Sequence, residues 1–327
     1  MDNILFALNA VLPIVLLIAL GYGLKKIKMV TPEFLAVGNK LCFKVFLPCL
    51  LFFNIYKVQN LSAIDWPSAI YCVGGIFIAF FIGFVLMAVF VKDRKRKSVV
   101  WQCVFRSNYA IIGIPLVEML GRDTTLAALL SAFSIPIFNI LAVVVLTIYS
   151  GDETENKGEQ FKKTLKGIAK NPLIHGVLLG IIVVAIRELF IMWGFTFRLK
   201  DIGFLYTSLD YVSKITTPFA LIVLGGQFEF VSFKNYKKEI ILATITRTVI
   251  VPLVTISIAC FLFGFRGDSV ASFIALYASP VAVASAIMAR EMGADGDLAG
   301  ALVVSTTVFS SVTLVALIYA LKLLAFL

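Results

Sequence analysis

Long apolar runs alternate with short polar connections along the whole chain. Each run is close to the roughly 20 residues that a helix needs to cross the hydrocarbon core of a bilayer. Helices of this kind satisfy all their backbone polar groups internally, which a bilayer requires. The pattern therefore predicts an all-α polytopic membrane protein with ten transmembrane helices. The runs lie near 4–24, 33–56, 67–91, 99–120, 124–149, 172–194, 203–228, 239–264, 269–290 and 298–325.

Composition supports the same class. Of the 327 residues, 60% are hydrophobic and 15% are charged, whereas a soluble domain has about 45–50% and about 25%. These values exclude a disordered chain, a disulfide scaffold and a nucleic-acid-binding domain. The five cysteines form no CxxC pair and His175 is the one histidine, so no metal site or cofactor is expected. The familiar motifs of soluble enzymes are missing as well, and we do not expect an enzyme.

Basic residues are distributed unevenly between the two sides of the predicted membrane protein. One set of connections carries 17 of the 29 lysines and arginines, and the opposite set carries seven. By the positive-inside rule, the side with 17 is cytoplasmic, which puts both termini outside. We therefore expect a multi-pass protein of the plasma (bacterial inner) membrane. The basic run 92–97 is explained by the same rule, and its alternative is a site for anionic lipid or regulation.

The two halves of the chain resemble each other. Residues 1–149 and 172–327 hold five runs each, and the polar segment 150–171 predicts a cytoplasmic linker between them. An odd number of spans in each half inverts the second half, so we predict two inverted five-helix repeats. A Lys-Lys-Pro set in the second run has the same spacing as an Asp-Lys-Pro set in the seventh: Lys40, Lys44, Pro48 and Asp210, Lys214, Pro218.

Helix-breaking residues lie near the middle of the fourth and ninth runs. They are Gly113-Ile114-Pro115 and Ser279-Pro280. Proline has no N–H and its ring clashes with the carbonyl four residues earlier, which predicts a broken helix at each place. Broken helices expose backbone dipoles at membrane depth, as in the substrate sites of secondary transporters. We expect Pro115 and Pro280 to be needed for transport, and kinked but unbroken helices are the alternative.

Charged residues inside the runs indicate the sign of the substrate. An intramembrane charge is expensive and is by default a functional candidate. Among these residues Lys44, Arg106 and Lys214 outnumber the central carboxylates, which favours an anion. Asp210 and Lys214 are one helical turn apart and can pair, so they are candidates for coupling or support, or simply neutralise each other. The other charged residues could reach an interface: Lys40, Glu118 and Arg247.

Four motifs follow one another along ten spans with a consistent spacing. They are Asn39-Lys40 through Phe46-Leu47-Pro48, Arg106-Ser107-Asn108-Tyr109 through Gly113-Ile114-Pro115, Asn171-Pro172-Leu173-Ile174, and Tyr277-Ala278-Ser279-Pro280. Through these motifs the chain resembles the auxin efflux carrier family, in the bacterial branch related to plant PIN exporters and to malate and malonate permeases. The resemblance covers essentially the whole chain.

The resemblance implies a specific architecture. It implies two inverted five-helix repeats with broken helices 4 and 9 crossing at their prolines. It also implies a scaffold bundle, a transport bundle, elevator-like alternating access and a homodimer. Carried over by position, Asn108, Pro115 and Pro280 become substrate-site residues. The segment 150–171 is short compared with the hydrophilic loop of the large plant exporters, so regulation through such a loop is not expected.

These observations predict a secondary active transporter for a small organic anion, such as a dicarboxylate or an auxin-like acid, with H+ or Na+ as coupling ion and membrane lipid around it. A sodium-coupled symporter of bile-acid-transporter type is the first alternative. A membrane-embedded enzyme acting on lipid is the second, but no carboxylates or histidines group near an interface, and a receptor is the third. The substrate-binding candidates are Lys44, Arg106, Asn108, Gly113, Pro115, Asn139, Ser279 and Pro280.

Overall fold

The computed structural model describes residues 2–57, 65–150, 166–167, 169–194, 197–227 and 235–327. Regular structure in these ranges is helical, apart from one isolated bridge between two residues. Most of the predicted linker 150–171 lies outside the described residues. The helices are α1 (Asp2–Lys26), α2 (Pro32–Tyr56), α3 (Trp66–Phe90), α4a (Arg94–Phe105), α4b (Tyr109–Gly113 and Ile114–Met119), α5 (Thr124–Ser150), α6 (Pro172–Met192), α7 (Gly203–Gln227), α8 (Lys237–Leu262), α9a (Asp268–Tyr277), α9b (Ala284–Glu291) and α10 (Gly296–Leu323).

Six of the described helices are long and apolar enough to cross a bilayer: α2, α3, α5, α6, α8 and α10. Their lengths of 21 to 28 residues match the thickness of the hydrocarbon core. The predicted boundaries are close to the observed ones, except that α4a begins at Arg94, five residues before the predicted run. Asp93 explains this earlier start, because its Oδ1 accepts a hydrogen bond from the Arg96 N–H at 2.9 Å and caps the first turn.

The helices pack as two groups that contact each other. In the first group, α1 packs along α7, and α6 packs along the second half of α2. Glycines allow these close contacts, since a Cβ on Gly225 would collide with the carbonyl of Ile18. The second group contains α3, α4a, α4b, α5, α8, α9a, α9b and α10, which pack on one another around the two interrupted helices.

Side-chain hydrogen bonds follow the same grouping. Within the first group, for example, Thr216 of α7 donates to the Phe46 carbonyl of α2 at 3.1 Å. Within the second, Tyr277 of α9a donates to the Cys72 carbonyl of α3 at 2.8 Å. One bond that connects the groups runs from Asn39 Nδ2 of α2 to Glu291 Oε1 of α9b, at 2.6 Å. The groups are therefore tied internally by polar contacts on several helices.

Three prolines are accommodated by π turns without interrupting their helices. The π turns Cys42–Phe46, Tyr109–Gly113 and Thr246–Ile250 each end two residues before a proline. Because proline cannot donate to the carbonyl of residue i−4 and clashes with it, the wider turn relieves both problems. The prolines in question are Pro48, Pro115 and Pro252.

This local geometry corrects the predicted position of the break in helix 4. The expectation that Pro115 breaks the helix is wrong, since α4a ends at Phe105 and α4b begins at Tyr109. Pro115 instead occupies the first turn of the α-helical part of α4b, where a missing N–H is tolerated. In helix 9 the chain leaves the helix after Tyr277, and Ser279 and Pro280 lie in the gap, where the sequence predicts the interruption.

Candidate functional site

The interruptions of helices 4 and 9 lie against each other. The Asn108 N–H donates to the Pro280 carbonyl at 2.9 Å, and Ser107 pairs with Val281 in an antiparallel bridge. From α10, Thr306 Oγ1 accepts a hydrogen bond from the Val281 N–H at 3.3 Å. These bonds satisfy backbone groups that the ends of the half-helices release. The two extended segments therefore form one continuous unit.

Arg247 of α8 binds the ends of both half-helices that enter this unit. Its guanidinium donates to the Val104 carbonyl of α4a at 3.0 Å and to the Leu276 carbonyl of α9a at 3.3 Å. It also donates twice to the Ser279 carbonyl, at 3.0 and 2.7 Å. Arg247 is 0% exposed, so the expectation that it reaches an interface is wrong. The terminal carbonyls of the helices hold it inside, because they need donors and carry partial negative charge.

A cavity lies beside the paired interruptions. Its empty volume is about 610 Å³, which includes its open mouth. Residues of α2, α5 and α7 line it together with both interruptions. Most of the lining is apolar, and a few polar groups converge on it, as is typical of binding sites for small molecules. The polar residues of the lining are Asn54, Arg106, Ser107, Asn108, Asn139, Thr216 and Thr217.

Arg106 and Asn139 form a buried pair in the wall of this cavity. Arg106 is 3% exposed, and its Nη2 donates to Asn139 Oδ1 at 2.7 Å, while its Nη1 contacts the sulfur of Met288. Asn139 Nδ2 in turn donates to the Ile135 carbonyl at 2.7 Å, which orients the amide. No carboxylate of the described residues forms an ion pair with Arg106. Its positive charge is therefore available to an anion in the cavity.

Two further donors, on residues of the cavity lining, have no partner among the described residues. They are Asn108 Nδ2 and Ser107 Oγ, on residues that are 4% and 6% exposed. Buried polar groups are nearly always hydrogen-bonded, so such atoms in a cavity wall call for a ligand or a bound water. Asn108, predicted as a substrate-site residue, thus lies beside Arg106 with a free donor.

Five predicted substrate-binding residues do not line the cavity. Lys44 and Pro115 are exposed. Gly113 lies at a close approach of α4b to α9a, where a Cβ would be 2.7 Å from the Ala275 carbonyl. Ser279 and Pro280 are buried and act through their carbonyls, which accept from Arg247 and from the Asn108 N–H. Gly113, Ser279 and Pro280 therefore shape the interruptions without lining the cavity.

Asp210 and Lys214 pair as their spacing indicates, but away from the cavity. The Lys214 Nζ is 2.5 Å from Asp210 Oδ2, and the Lys57 Nζ is 3.0 Å from Asp210 Oδ1. The Lys214 side chain is 69% exposed. Lys57, from the end of α2, was not singled out in the sequence because it lies outside the apolar runs.

Sequence reasoning missed five residues of the site. Arg247 supports the interruptions, and the other four line the cavity: Asn54, Ser107, Thr216 and Thr217. A signal existed for Asn54, which is a lone amide in the apolar stretch Leu50–Tyr56. The two threonines precede Pro218, but hydroxyls are common in membrane helices and give little discrimination.

Comparisons with known proteins find membrane transport proteins among the relatives of this chain. A family model described as "Membrane transport protein" matches residues 6–318. An uncharacterized transporter of Methanothermobacter thermautotrophicus is 23% identical over 309 residues, covering 94% of this chain and 95% of the relative. A second uncharacterized transporter, MJ1031 of Methanocaldococcus jannaschii, is 26% identical over 227 residues, or 67% of this chain and 68% of the relative.

A solved structure shares the fold. The sodium proton antiporter MjNhaP1 from Methanocaldococcus jannaschii, at pH 8, aligns with a TM-score of 0.52 at 12% sequence identity. The alignment covers 93% of this chain and 92% of the antiporter. At this level of identity the similarity concerns the helical architecture alone.

Proposed function

The chain belongs to the membrane transport protein family, the auxin efflux carrier family that its motifs resemble, and on that premise we propose that it carries a small organic anion across the membrane. The cargo is a carboxylate, and a dicarboxylate or an auxin-like acid fits the proposal. The transport is secondary and active, with H+ or Na+ as the coupling ion. No enzymatic step is part of the proposal.

The observation that carries this proposal is the donor set of the cavity. Three residues of the lining carry donors that lack a carboxylate or any other partner among the described residues: the guanidinium of Arg106 has no carboxylate, and the amide N–H of Asn108 and the hydroxyl of Ser107 have no partner. Charge-assisted hydrogen bonds from a guanidinium are about twice as strong as neutral ones, and they suit the geometry of a carboxylate. The apolar remainder of the wall, including Ile135 and Phe138, accommodates the carbon skeleton of an organic acid.

A cation is the second candidate cargo, because the structural neighbour is named a sodium proton antiporter. Hydroxyls near the interruptions, such as Thr306 Oγ1, would serve a sodium ion. However, the residues that line the cavity include no Asp or Glu, and no group of three possible metal ligands from His, Cys, Asp or Glu exists in the described part of the chain. Hard cations prefer oxygen ligands such as the carboxylates of Asp and Glu, so the donor set of this cavity favours an anion.

The mechanism that we propose is elevator-like alternating access of one helix group against the other. The packing of α1 on α7 and of α6 on α2 supports two inverted five-helix repeats. In such repeats α1 corresponds to α6 and α2 corresponds to α7, so the first helix of each half packs on the second helix of the other half. The polar contacts within each group support rigid bodies that move as units. We place the protein in the plasma membrane with both termini outside, from the distribution of basic residues, and we expect a homodimer.

Transport by purified protein in proteoliposomes tests the proposal. Vesicles loaded with a dicarboxylate are diluted into radiolabelled malonate, malate or succinate, and counterflow is measured with and without gradients of H+ or Na+. We expect saturable uptake of at least one acid, with a KM that rises in Arg106→Gln. Arg187→Gln is the matched control, because Arg187 is also buried but pairs with Glu188 at 2.8 Å, outside the cavity.

Two results would reject the proposal. The first is sodium or proton exchange that is independent of every organic anion in a broad panel. The second is unaltered KM in Arg106→Gln for an acid that the wild-type protein transports. Dependence of the uptake on a sodium gradient would instead identify the sodium-coupled symporter as the correct form of the carrier.

A further inference from the structure

Helix α4a from the first half of the chain and helix α9a from the second half end close together inside the protein. The last carbonyls of α4a and of α9a converge on the guanidinium of Arg247, whose donors bond to both sets. Each of these helices has ten residues or more. The C-terminus of such a helix carries the equivalent of roughly half a negative charge. Two such ends together present about one negative charge next to the cavity.

That negative charge would oppose the binding of an anion. Arg106 follows directly after α4a and Ser107 follows Arg106, so the helix ends and the cavity wall are adjacent in the chain. Two residues span at most about 7 Å, which places the guanidinium of Arg247 on the order of 10 Å from the cavity. Over such a distance a buried charge is weakly screened.

We propose that Arg247 determines the charge specificity of the cavity by neutralising the two helix ends, so that the positive charge of Arg106 is left for the substrate. Arg247 touches no substrate and is a positioning and specificity-determining residue. Among the described residues it has no acidic partner, so its whole charge acts on the backbone carbonyls. The inference rests on the proposed anion transport and assigns the origin of its selectivity.

The electrostatic potential of the cavity can be measured without knowing the substrate. Ala282, in the interruption of helix 9, lines the cavity, and Ala282→Cys is introduced into full-length protein whose five native cysteines are replaced. The introduced thiol is treated with an anionic (sulfonatoethyl) or a cationic (trimethylammonioethyl) methanethiosulfonate. Each reaction rate is divided by the rate at which the same reagent reacts with a free thiol in solution, and the anionic value is then divided by the cationic value. The ratio of the two rates cancels changes in thiol reactivity and in access.

We expect the normalised ratio to favour the anionic reagent in the wild-type background. Arg247→Gln should lower the ratio by about tenfold or more. This value is the effect of removing a unit charge at a distance on the order of 10 Å, with an effective dielectric constant of about 20. Arg247→Lys keeps the charge but loses the fork of donors, so its ratio should remain within about threefold of the wild-type value. The matched control Arg187→Gln should leave the ratio unchanged.

Several results would overturn the inference. One is a wild-type ratio that favours the cationic reagent, which is decisive even if Arg247→Gln does not fold. Others are an unchanged ratio in Arg247→Gln, or an equal loss in the Lys and Gln variants, which would indicate a purely geometric role. A second reporter, Thr217→Cys on α7, repeats the measurement from another helix that lines the cavity.

The two proposals can fail separately. If no organic acid is transported while the ratio falls in Arg247→Gln, anion transport is rejected and the electrostatic role of Arg247 stands. If an acid is transported and the ratio does not change in Arg247→Gln, anion transport stands and the electrostatic role of Arg247 is rejected.

Discussion

Single polar residues give this cavity its chemistry, and their partners decide what each can do. Arg106 is oriented by Asn139, whose amide uses its own donor on the Ile135 carbonyl. The amide nitrogen of Asn108 has no such partner in the described chain. Two asparagines that look equivalent in the sequence therefore differ: one orients an arginine, and the other is free to bind a ligand.

We predict that Asn108→Ala weakens substrate binding. A hydrogen bond to a charged group contributes about 1.5–3 kcal/mol, so KM should rise by about ten- to a hundredfold while the maximal rate changes less. Ser134→Ala is the control, because Ser134 Oγ is also buried and unpartnered among the described residues but lies outside the cavity lining. Equal effects of the two substitutions on KM in counterflow would contradict a binding role for Asn108.

We predict that Gly113→Ala destabilises the protein. The added Cβ would be 2.7 Å from the Ala275 carbonyl and 2.6 Å from the Tyr109 ring, and overpacking of this kind costs roughly 1–3 kcal/mol. The thermal midpoint of the detergent-solubilised protein should fall. Gly74→Ala in α3 meets no atom within 4 Å and should leave the midpoint unchanged, so a similar drop in both variants would refute the steric explanation.

At the scale of helices, a proline has different consequences in different places. Pro115 follows a π turn and stays in a helix, whereas Pro280 lies in the extended segment that pairs with Asn108. The hydrophobic pattern of the two runs is similar, and a local pattern does not show whether a wider turn absorbs the proline. The packing of neighbouring helices decides this.

We predict that Pro280→Ala reduces transport much more than Pro115→Ala. An alanine at 280 allows α9a to extend, which removes the carbonyl partner of the Asn108 N–H and costs about 1–3 kcal/mol for the buried donor. Pro115 is exposed, and substitutions at such positions usually change stability by less than about 0.5 kcal/mol. Initial uptake rates at matched expression test the order, and an equal loss in both variants would show that the two prolines have the same function.

At the scale of the whole molecule, a polar contact joins the two helix groups at one end. Asn39 is 1% exposed and donates to Glu291 at 2.6 Å. Around this bond lies a surface depression lined also by Lys25, Lys40 and Arg290. If one group moves against the other, this bond has to break during each cycle.

We predict that linking these two positions stops transport reversibly. In Asn39→Cys/Glu291→Cys, a short bifunctional thiol reagent with a reducible linker should inhibit counterflow, and reduction should restore it. Each single variant treated in the same way is the control. Full transport by the linked protein would contradict movement between the groups at this contact.

The orientation of the molecule also stays a prediction. The excess of basic residues on one side places both termini outside. Epitope tags at the two ends should therefore be reached by an impermeant label in intact cells, and a protected tag at either end would reverse the assignment.

The sequence by itself determined the membrane class, the all-helical fold, the family and three of the cavity residues, namely Arg106, Asn108 and Asn139. These features depend on composition, on the length of apolar runs and on polar residues inside them, all of which are local in the chain. Only the tertiary structure decided that helix 4 is interrupted at 106–108, that Lys44 lies outside the cavity and that Arg247 bonds both half-helix ends. These features depend on contacts between residues far apart in the chain, such as Asn108 with Pro280 and Arg247 with Val104. Packing decides which side chains are buried and which acceptor each donor finds over such separations, and a local pattern does not encode packing.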